Sequence, residues 1–534
     1  MPQTKPLGYW MSQLVRRPMV KLRLAKHFAV ALACSTMAGC AVGPDYQRPE
    51  LPESTGYGTS TEASATGTRA ASQAGADQRL AVGADIRNDW WTLFRSSDLN
   101  TLIEQAFAAS PTIEIAQRAL NVAQQNVYAQ QGYFYPTVQA NYMPTRTKLP
   151  GNLGGNSPGV QGDGNYIGAY QGTPASQGGT APYNGSTVFN FHTAQLTVGY
   201  MPDIFGLNRR AVESLQAQTD AQKFQLQAAY ITLASNVVAA AVQDGMLRKQ
   251  IAITKDMIEA NETAVALVKR QQKSGYASQL DFSIQESALG QVKQLLPPLQ
   301  KQFEQNRDLL RVLAGRTQDQ EVPAFDLVSF KLPEDLPLTL PSQLVEQRPD
   351  IQAAEQLLRA ANAQIGVARA ARFPQLSLSG TLGGTASNFN QMFWAGSGGF
   401  FELALNIAQP IFAGGTLMYR EYAATEAQKQ AAAQYRLTVI TAFQNVADTL
   451  HAIKSDAQAM TIVNDLTAAA KKTYELSGRQ HAGGYLDRLA LINAQQTYRQ
   501  ALLNEAQIQA SRLGNTAALF QALGGGWWNK PTGQ

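Results

Sequence analysis

Histidine and cysteine are scarce in this sequence, four and two residues among 534. His27, His192, His451 and His481 are scattered, and no Cys/His cluster has metal-ligand spacing. No nucleophile elbow or phosphate-cradling loop is present; the Gly-rich stretch 150–180 follows a strand-like segment but opens no helix. The sequence therefore does not read as an enzyme, and no cofactor and no metal site are expected. Charge is also thin, at 16% of residues. The net charge of +5 includes a basic N-terminus, with Arg16, Arg17, Lys21, Arg23 and Lys26 in one short run, so it is no argument for nucleic acid. The body has no apolar run of transmembrane-helix length.

What the N-terminus does hold is a secretion signal. The basic run is followed by an apolar core, Phe28-Ala29-Val30-Ala31-Leu32-Ala33, and then by Met37-Ala38-Gly39-Cys40. Met1, Met11 and Met19 are all candidate starts. Small residues immediately before a cysteine resemble the bacterial lipoprotein box, which makes Cys40 the expected lipidation site and residues 1–39 the removed signal. The alternative is an ordinary signal peptide beside a cysteine. Cys34 would leave with the signal, so the mature chain has no partner for an internal disulfide. Residues 51–85 are Ser, Thr, Gly and Ala with few large apolar side chains and are expected to be poorly ordered, within a lipidated N-terminal tether at 40–88.

The body is written twice. In the stretch from Pro349 to Phe373, Ile351, Ala354, Leu358, Ala361 and Ile365 fall 3, 4, 3 and 4 apart, a seam for packing along another helix. After Pro374 the period changes to two, with Leu376, Leu378 and Leu382 alternating with Ser and Thr. Pro111 to Pro136 lies on Pro349 to Pro374 without a gap, matching Ile113, Ala116, Leu120 and Ala123 to the seam, so Pro136 and Pro374 are the two helix-to-strand junctions. Ile204-Phe205-Gly206 matches Ile411-Phe412-Ala413-Gly414, and Gly275 to Asp281 matches Gly483 to Asp487. The repeats are expected at 89–315 and 341–523, joined by a connector at 316–340 and followed by a tail at 524–534.

Within them we expect one helix from Asp98 to about Gln131, strands at about 135–147, 188–201, 375–385 and 399–412, and long helices at 207–273 and 415–480. Each long helix of this length spans about 100 Å. Second helices follow the glycine turns, the first kinked or interrupted at Pro297-Pro298. Asp281 and Asp487 read as N-caps after those turns or as pore-facing charges. Two hairpins of about ten residues per strand suit an outer-membrane crossing, with Phe401, Leu403, Leu405 and Ile407 facing lipid and Glu402, Ala404, Asn406 and Ala408 facing water. Four strands cannot close a barrel, so copies of the chain must complete the edges. A periplasmic coiled-coil adaptor or spacer lipoprotein is the contrasting reading, and it has no use for two amphipathic hairpins.

The segments Cys40-Ala41-Val42-Gly43-Pro44-Asp45-Tyr46, Trp90-Trp91, Leu336-Pro337 with Arg348-Pro349-Asp350-Ile351, Ala371-Arg372-Phe373-Pro374 and Leu523-Gly524-Gly525-Gly526-Trp527 resemble the outer membrane factor family, the TolC-like channels, in particular NodT-type efflux lipoproteins. The resemblance implies a mixed α/β membrane protein. Three chains share a 12-stranded outer-membrane β-barrel, four strands each, continued by a periplasmic α-helical barrel. It implies a homotrimer anchored in outer-membrane lipid that docks an inner-membrane RND-type pump through a periplasmic adaptor (membrane fusion protein). Its gate maps onto the helix tips, with Asp281, Asp487 and Arg488 as gate residues and Gly275, Gly483 and Gly484 as the tip turns where an adaptor docks. Export of small molecules is the expected task, with type I protein secretion and metal-ion efflux as alternatives.

Overall fold

Proline sets the first departures from these expectations. In the computed structural model, which describes residues 41–49, 78–149, 158–161, 166–169, 187–339, 341–386, 389–390, 392 and 399–529, the helix expected from Asp98 is two helices, α1 (Ser97–Ala109) and α2 (Pro111–Gln131). Ser110 between them is extended, with ψ 123°, because a proline ring disfavours helix at the preceding residue. The cap is Ser96, whose hydroxyl accepts from the Leu99 N–H, and Asp98 sits inside the first turn. The second half is built alike, with α5 (Pro341–Gln347) and α6 (Pro349–Ala370) separated at Arg348. Of the expected seam, Ile113 on α2 and Ile351, Leu358 and Ile365 on α6 are buried.

The remaining helices are α3 (Leu207–Lys273), α4 (Gln279–Leu313), α7 (Thr416–Ala482) and α8 (Arg488–Ala522). Their bounds move from 207 to 416, 273 to 482, 279 to 488 and 313 to 522, a constant shift of 209. The duplication therefore preserved helix length to the residue. Helix α4 continues through Pro297-Pro298, so of the two expected outcomes there, a kink or an interruption, the interruption does not occur. Both prolines are exposed, so the carbonyls they deprive of a partner face water. Helix α3 carries an 18-residue window of mean hydropathy 1.2, half of it buried.

Among the described residues eight strands accompany the helices: β1 (Arg79–Val82), β2 (Thr137–Leu149), β3 (Pro158–Gln161), β4 (Tyr166–Ala169), β5 (Thr187–Tyr200), β6 (Asp335–Leu338), β7 (Gln375–Ala386) and β8 (Gly399–Ala408). The main sheet has the order β2-β5-β7-β8, antiparallel throughout. Strand β8 ends at Ala408 rather than 412: Pro410 cannot donate to a ladder, and the Gln409 side chain donates instead to Arg372 O and Pro410 O. Strand β1 pairs in parallel with β6 inside the 40–88 stretch expected to be tether, of which residues 40 and 50–77 lie outside the described residues.

The chain divides into two units. The first comprises residues up to Gln47, Gln125–Gln216 and Arg359–Gln428 and contains the main sheet. Its N-terminal segment is held by specific contacts: Val42 N–H donates to Phe205 O at 3.1 Å, Asn362 Nδ2 to Pro44 O at 2.9 Å, and Arg210 pairs with Asp45 at 2.9 Å. Gly43, at φ +122°, lies so close to Gly366 that a Cβ would come within 2.6 Å of its Cα, so neither a side chain nor an ordinary backbone fits there. The second unit comprises Arg48–Gln124, Ala217–Leu358 and Lys429–Gln534. Its core includes Trp90, Phe94, Leu102, Leu327, Phe330 and Phe520, with Trp90 stacked on Phe520 at 5.2 Å. The C-terminal glycines are pressed against this core, a Cβ on Gly526 falling 2.5 Å from Ile86 O.

Candidate functional site: a two-faced sheet and two helix tips

Register gives the main sheet two chemically distinct faces. Residues directly opposite in an antiparallel pair share a face. One such row is Ala140, Leu196, Leu382 and Phe401; the next is Val138, Val198, Gly380 and Leu403. On the other face Gln139, Thr197, Thr381 and Glu402 form a row, with the two threonine hydroxyls 3.3 Å apart. The apolar face is bare: Phe401 is 82% and Leu403 83% exposed. Burying such a row is worth about 1.5–3 kcal/mol per large side chain, so this face fits a hydrocarbon environment and the opposite one fits water. Among the described residues β2 and β8 are each paired on one side only, which leaves two open edges.

Pro136 and Pro374 stand where the sequence placed them, immediately before β2 and β7. Each N–H-less residue lies between the preceding helical segment and the first ladder residue, Thr137 or Gln375, where no donor is missed. Nearby, Glu421 near the start of α7 accepts from Arg369 at the end of α6 and from Arg372 just before the Pro374 junction. The hydrogen bond from Arg372, reinforced by Arg369, holds its carboxyl below the ordinary glutamate value in spite of burial.

The second candidate site is the pair of helix tips, both in the second unit. Gly275 (φ +79°) and Gly484 (φ +77°) adopt the left-handed conformation that ends α3 and α7. The next residue closes the turn in both: Tyr276 N–H donates to Gln271 O at 2.8 Å and Tyr485 N–H to Gln480 O at 2.9 Å. Gly275 thus corresponds to Gly484, and the glycine expected to match it, Gly483, lies one residue earlier without a positive φ. The caps correct the expectation further. Helix α4 is capped by Ser278, with Asp281 at its third position returning a bond to the Ser278 N–H at 2.8 Å. Helix α8 is capped by Asp487, which accepts from Ala490 N–H at 2.7 Å. Asp281 and Asp487 are therefore not equivalent positions. The two bonds from Ser278 hold the Asp281 carboxyl below its ordinary range. Arg488 is exposed.

Below the tips the helices are tied together by polar contacts as well as by packing. Asn261 on α3 accepts from Gln496 on α8 at 2.7 Å and from Gln285 on α4 at 3.4 Å. Asp256 pairs with Arg499, and Lys293 with Glu262. Ile253, Met257 and Val292 form a small buried cluster that Leu502 and Leu503 join. Tyr474 on α7 stacks on Tyr498 of α8 with ring centroids 6.0 Å apart, so the four helices are tied together beneath the two turns.

The profile of the family described as "Outer membrane efflux protein" matches residues 102–316 and 340–525. The chain belongs to that family. It is an outer-membrane efflux channel component, and the bare apolar face of its sheet has the chemistry suited to a membrane. Among curated relatives, the probable efflux pump outer membrane protein TtgC of Pseudomonas putida is 29% identical over 521 residues, 95% of this chain and 96% of that protein. Among solved structures, the outer-membrane channel OprN superposes with a TM-score of 0.74 at 23% identity, covering 91% of this chain and 100% of that one. The Campylobacter jejuni CmeC outer membrane channel gives 0.75 at 18%, covering 91% and 95%. Those likenesses establish that the four-stranded sheet with long paired helices is an outer-membrane channel fold.

Within this efflux channel, Cys40 lies outside the described residues. The sequence reading missed two residues at the tips. Tyr276 is 87% and Tyr485 89% exposed, one at each turn, and the repeat itself was the signal that could have singled them out. A large aromatic held open at both tips is a natural anchor for a partner.

Proposed function

We propose that this protein is the trimeric outer-membrane conduit of a tripartite efflux system. It passes small molecules received from an inner-membrane RND-type pump through a periplasmic adaptor. The observation that carries this reading is the four-stranded sheet with one apolar face and two open edges. An unpaired edge in hydrocarbon costs several kcal/mol for each stranded backbone group, so the sheet reaches a low-energy state in a membrane only by joining other copies. Three copies supply twelve strands. Cys40 carries the lipid anchor. The tips form the closable end of the pore, with Asp281, Asp487 and Arg488 at the constriction and the turns at Gly275, Gly483 and Gly484, flanked by Tyr276 and Tyr485, as the adaptor's contact. Substrate choice rests with the pump, because a water-filled conduit selects weakly.

Native mass measurement in mild detergent tests the assembly: a species of three chains is expected, and a dispersed monomer with intact strands overturns the reading. Intact mass of the mature chain tests the anchor, with an unmodified Cys40 as the contrary result. Co-purification with an adaptor and pump, lost when Tyr276 and Tyr485 are both changed to alanine, tests the tip assignment.

A further inference from the structure

A cavity in the first unit serves neither the sheet edges nor the tips. It holds about 370 Å³, and its lining includes Tyr133, Met201, Ile204, Phe205, Leu376 and Asn208, where β5 has ended, α3 begins and β7 starts. Leu376 stands opposite Ile407 on the face that also carries Leu378 with Leu405, so the cavity adjoins the bare apolar face of the sheet. Strands β5 and β7 are the inner pair, which places it away from both open edges. Tyr133 and Met201 are more than half exposed, so the cavity is open to its surroundings. One polar group in the lining is unsatisfied. Asn208 is 7% exposed; its Oδ1 accepts from Gln130 Nε2 at 2.6 Å, and its Nδ2 has no acceptor among the described residues. The volume is of the size that holds small ligands. Mostly apolar, with one buried donor that lacks an acceptor, it fits an acyl chain that carries an ester or amide carbonyl.

The chain itself brings such a group to the spot. Val42 N–H donates to Phe205 O at 3.1 Å. Ala41 lies against Gly206 so closely that a Cβ on that glycine would come within 2.6 Å of the Ala41 Cβ. Phe205 and Leu207, on either side of Gly206, both line the cavity. The bonds of Asp45 to Arg210 and of Asn362 to Pro44 fix the residues that follow. Cys40 is joined to Ala41 by one peptide unit, a Cα spacing of about 3.8 Å, so anything attached to it starts beside the cavity. We propose that an acyl chain carried by Cys40 lies in this cavity of its own chain, its carbonyl accepting from Asn208 Nδ2. The inference rests on the lipidation reading above and adds to it where the lipid goes. The lipid then acts as a fastener as well as an anchor, pinning the N-terminal segment across the link between β5 and α3.

Photocrosslinking tests it. Producing cells are fed a fatty acid bearing a diazirine, the assembled protein is irradiated, and the adducts are mapped by mass. The expected adduct bridges the peptide that begins at Cys40 to a peptide containing Ile204 to Leu207 or Leu376, within a single chain on denaturing gels. Ile204→Trp, which fills the cavity, is expected to lose that bridge while Cys40 stays lipidated and the native mass is unchanged. Asn208→Leu, which removes the donor, is expected to spread the adducts onto the apolar face of the sheet. The inference is overturned by Cys40 adducts confined to Phe401, Leu403 or membrane phospholipid. A bridge between different chains overturns it too, as does free phospholipid crosslinked in the cavity without Cys40. A bridge that survives in Ile204→Trp overturns the seat, and an unchanged map in Asn208→Leu overturns the hydrogen bond. The wild-type map decides by itself if neither variant assembles. An intact mass showing unmodified Cys40 instead overturns the lipidation reading, so the two failures are distinguishable.

Discussion

Asp487 can be asked whether it closes the pore or only caps a helix, because two substitutions separate the roles. Its Oδ1 accepts the Ala490 N–H at 2.7 Å and its backbone opens α8. Asp487→Ala removes cap and charge together. Loss of an N-cap costs about 1 kcal/mol, within a range of roughly 0.5–2, which corresponds to about a fivefold larger open population of the first turn. Asp487→Asn removes the charge alone, since asparagine caps about as well as aspartate. The carboxylate is exposed, so its contact across the axis is weak, about 1 kcal/mol or less in water, and an adaptor binding the open form can outcompete it. Hydrogen exchange at residues 488–491 reads the cap, and single-channel conductance in planar bilayers reads the gate. A gating charge predicts that both variants raise conductance while only Asp487→Ala quickens exchange. Wild-type conductance for Asp487→Asn, with faster exchange for Asp487→Ala, refutes the gate and leaves a cap.

Glu421→Gln is expected to loosen the packing of α7 against the end of α6 by about 1–2 kcal/mol, a charge-assisted contact discounted because Arg369 and Arg372 are nearly half exposed. Since the folded-state value of Glu421 is depressed, its contribution is complete above the ordinary glutamate value and fades as pH falls through the folded one. The wild-type protein should lose that increment in acid and the variant should not, as read by thermal unfolding across pH 3–7, roughly the range where carboxylates titrate. Asp456 is shifted the other way: burial raises its value, against the bond from Asn515. Its contribution is present in acid and lost as pH rises through the folded value, so Asp456→Asn should stabilise at neutral pH and not at low pH in the same scan. Gly245→Ala would put a Cβ 2.7 Å from Leu327 N and is expected to cost about 1–3 kcal/mol, visible as faster exchange at residues 325–330; unchanged exchange would mean that α3 and the connector can separate freely.

Long-range periodicity made most of the fold legible. A run such as α3 has few competing signals, and the glycines on either side, Gly206 and Gly275, are both left-handed punctuation. Alternation marked the two strands of the second hairpin, Leu376 to Leu382 and Phe401 to Ile407, and the repeat carried that reading to the first half. The pairing of β1 with β6 was invisible because strands of four residues separated by about 250 positions leave no periodic trace. Gly245 falls inside the long α3 run with no signal in the sequence pattern, and its approach to Leu327 explains it. At the tips, attention to aspartate hid Ser278: its box closes on Asp281 rather than on the usual Glu or Gln, so the signature was easy to pass over.

The tips share geometry without sharing chemistry, and that asymmetry bears on which one holds the pore shut. Equal lengths of 67 and 35 residues bring both turns to corresponding positions on the stem. At the first turn, Asp281 is engaged by the N–H and hydroxyl of Ser278, so its charge is already satisfied within its own capping box. At the second, Asp487 accepts one backbone bond and is followed directly by Arg488, for which the chain supplies no partner among the described residues. Three copies would then present three self-satisfied turns and three turns carrying adjacent opposite charges. We propose that the latter trade contacts between copies, Arg488 of one reaching Asp487 of the next, which would make the second tip the switchable one.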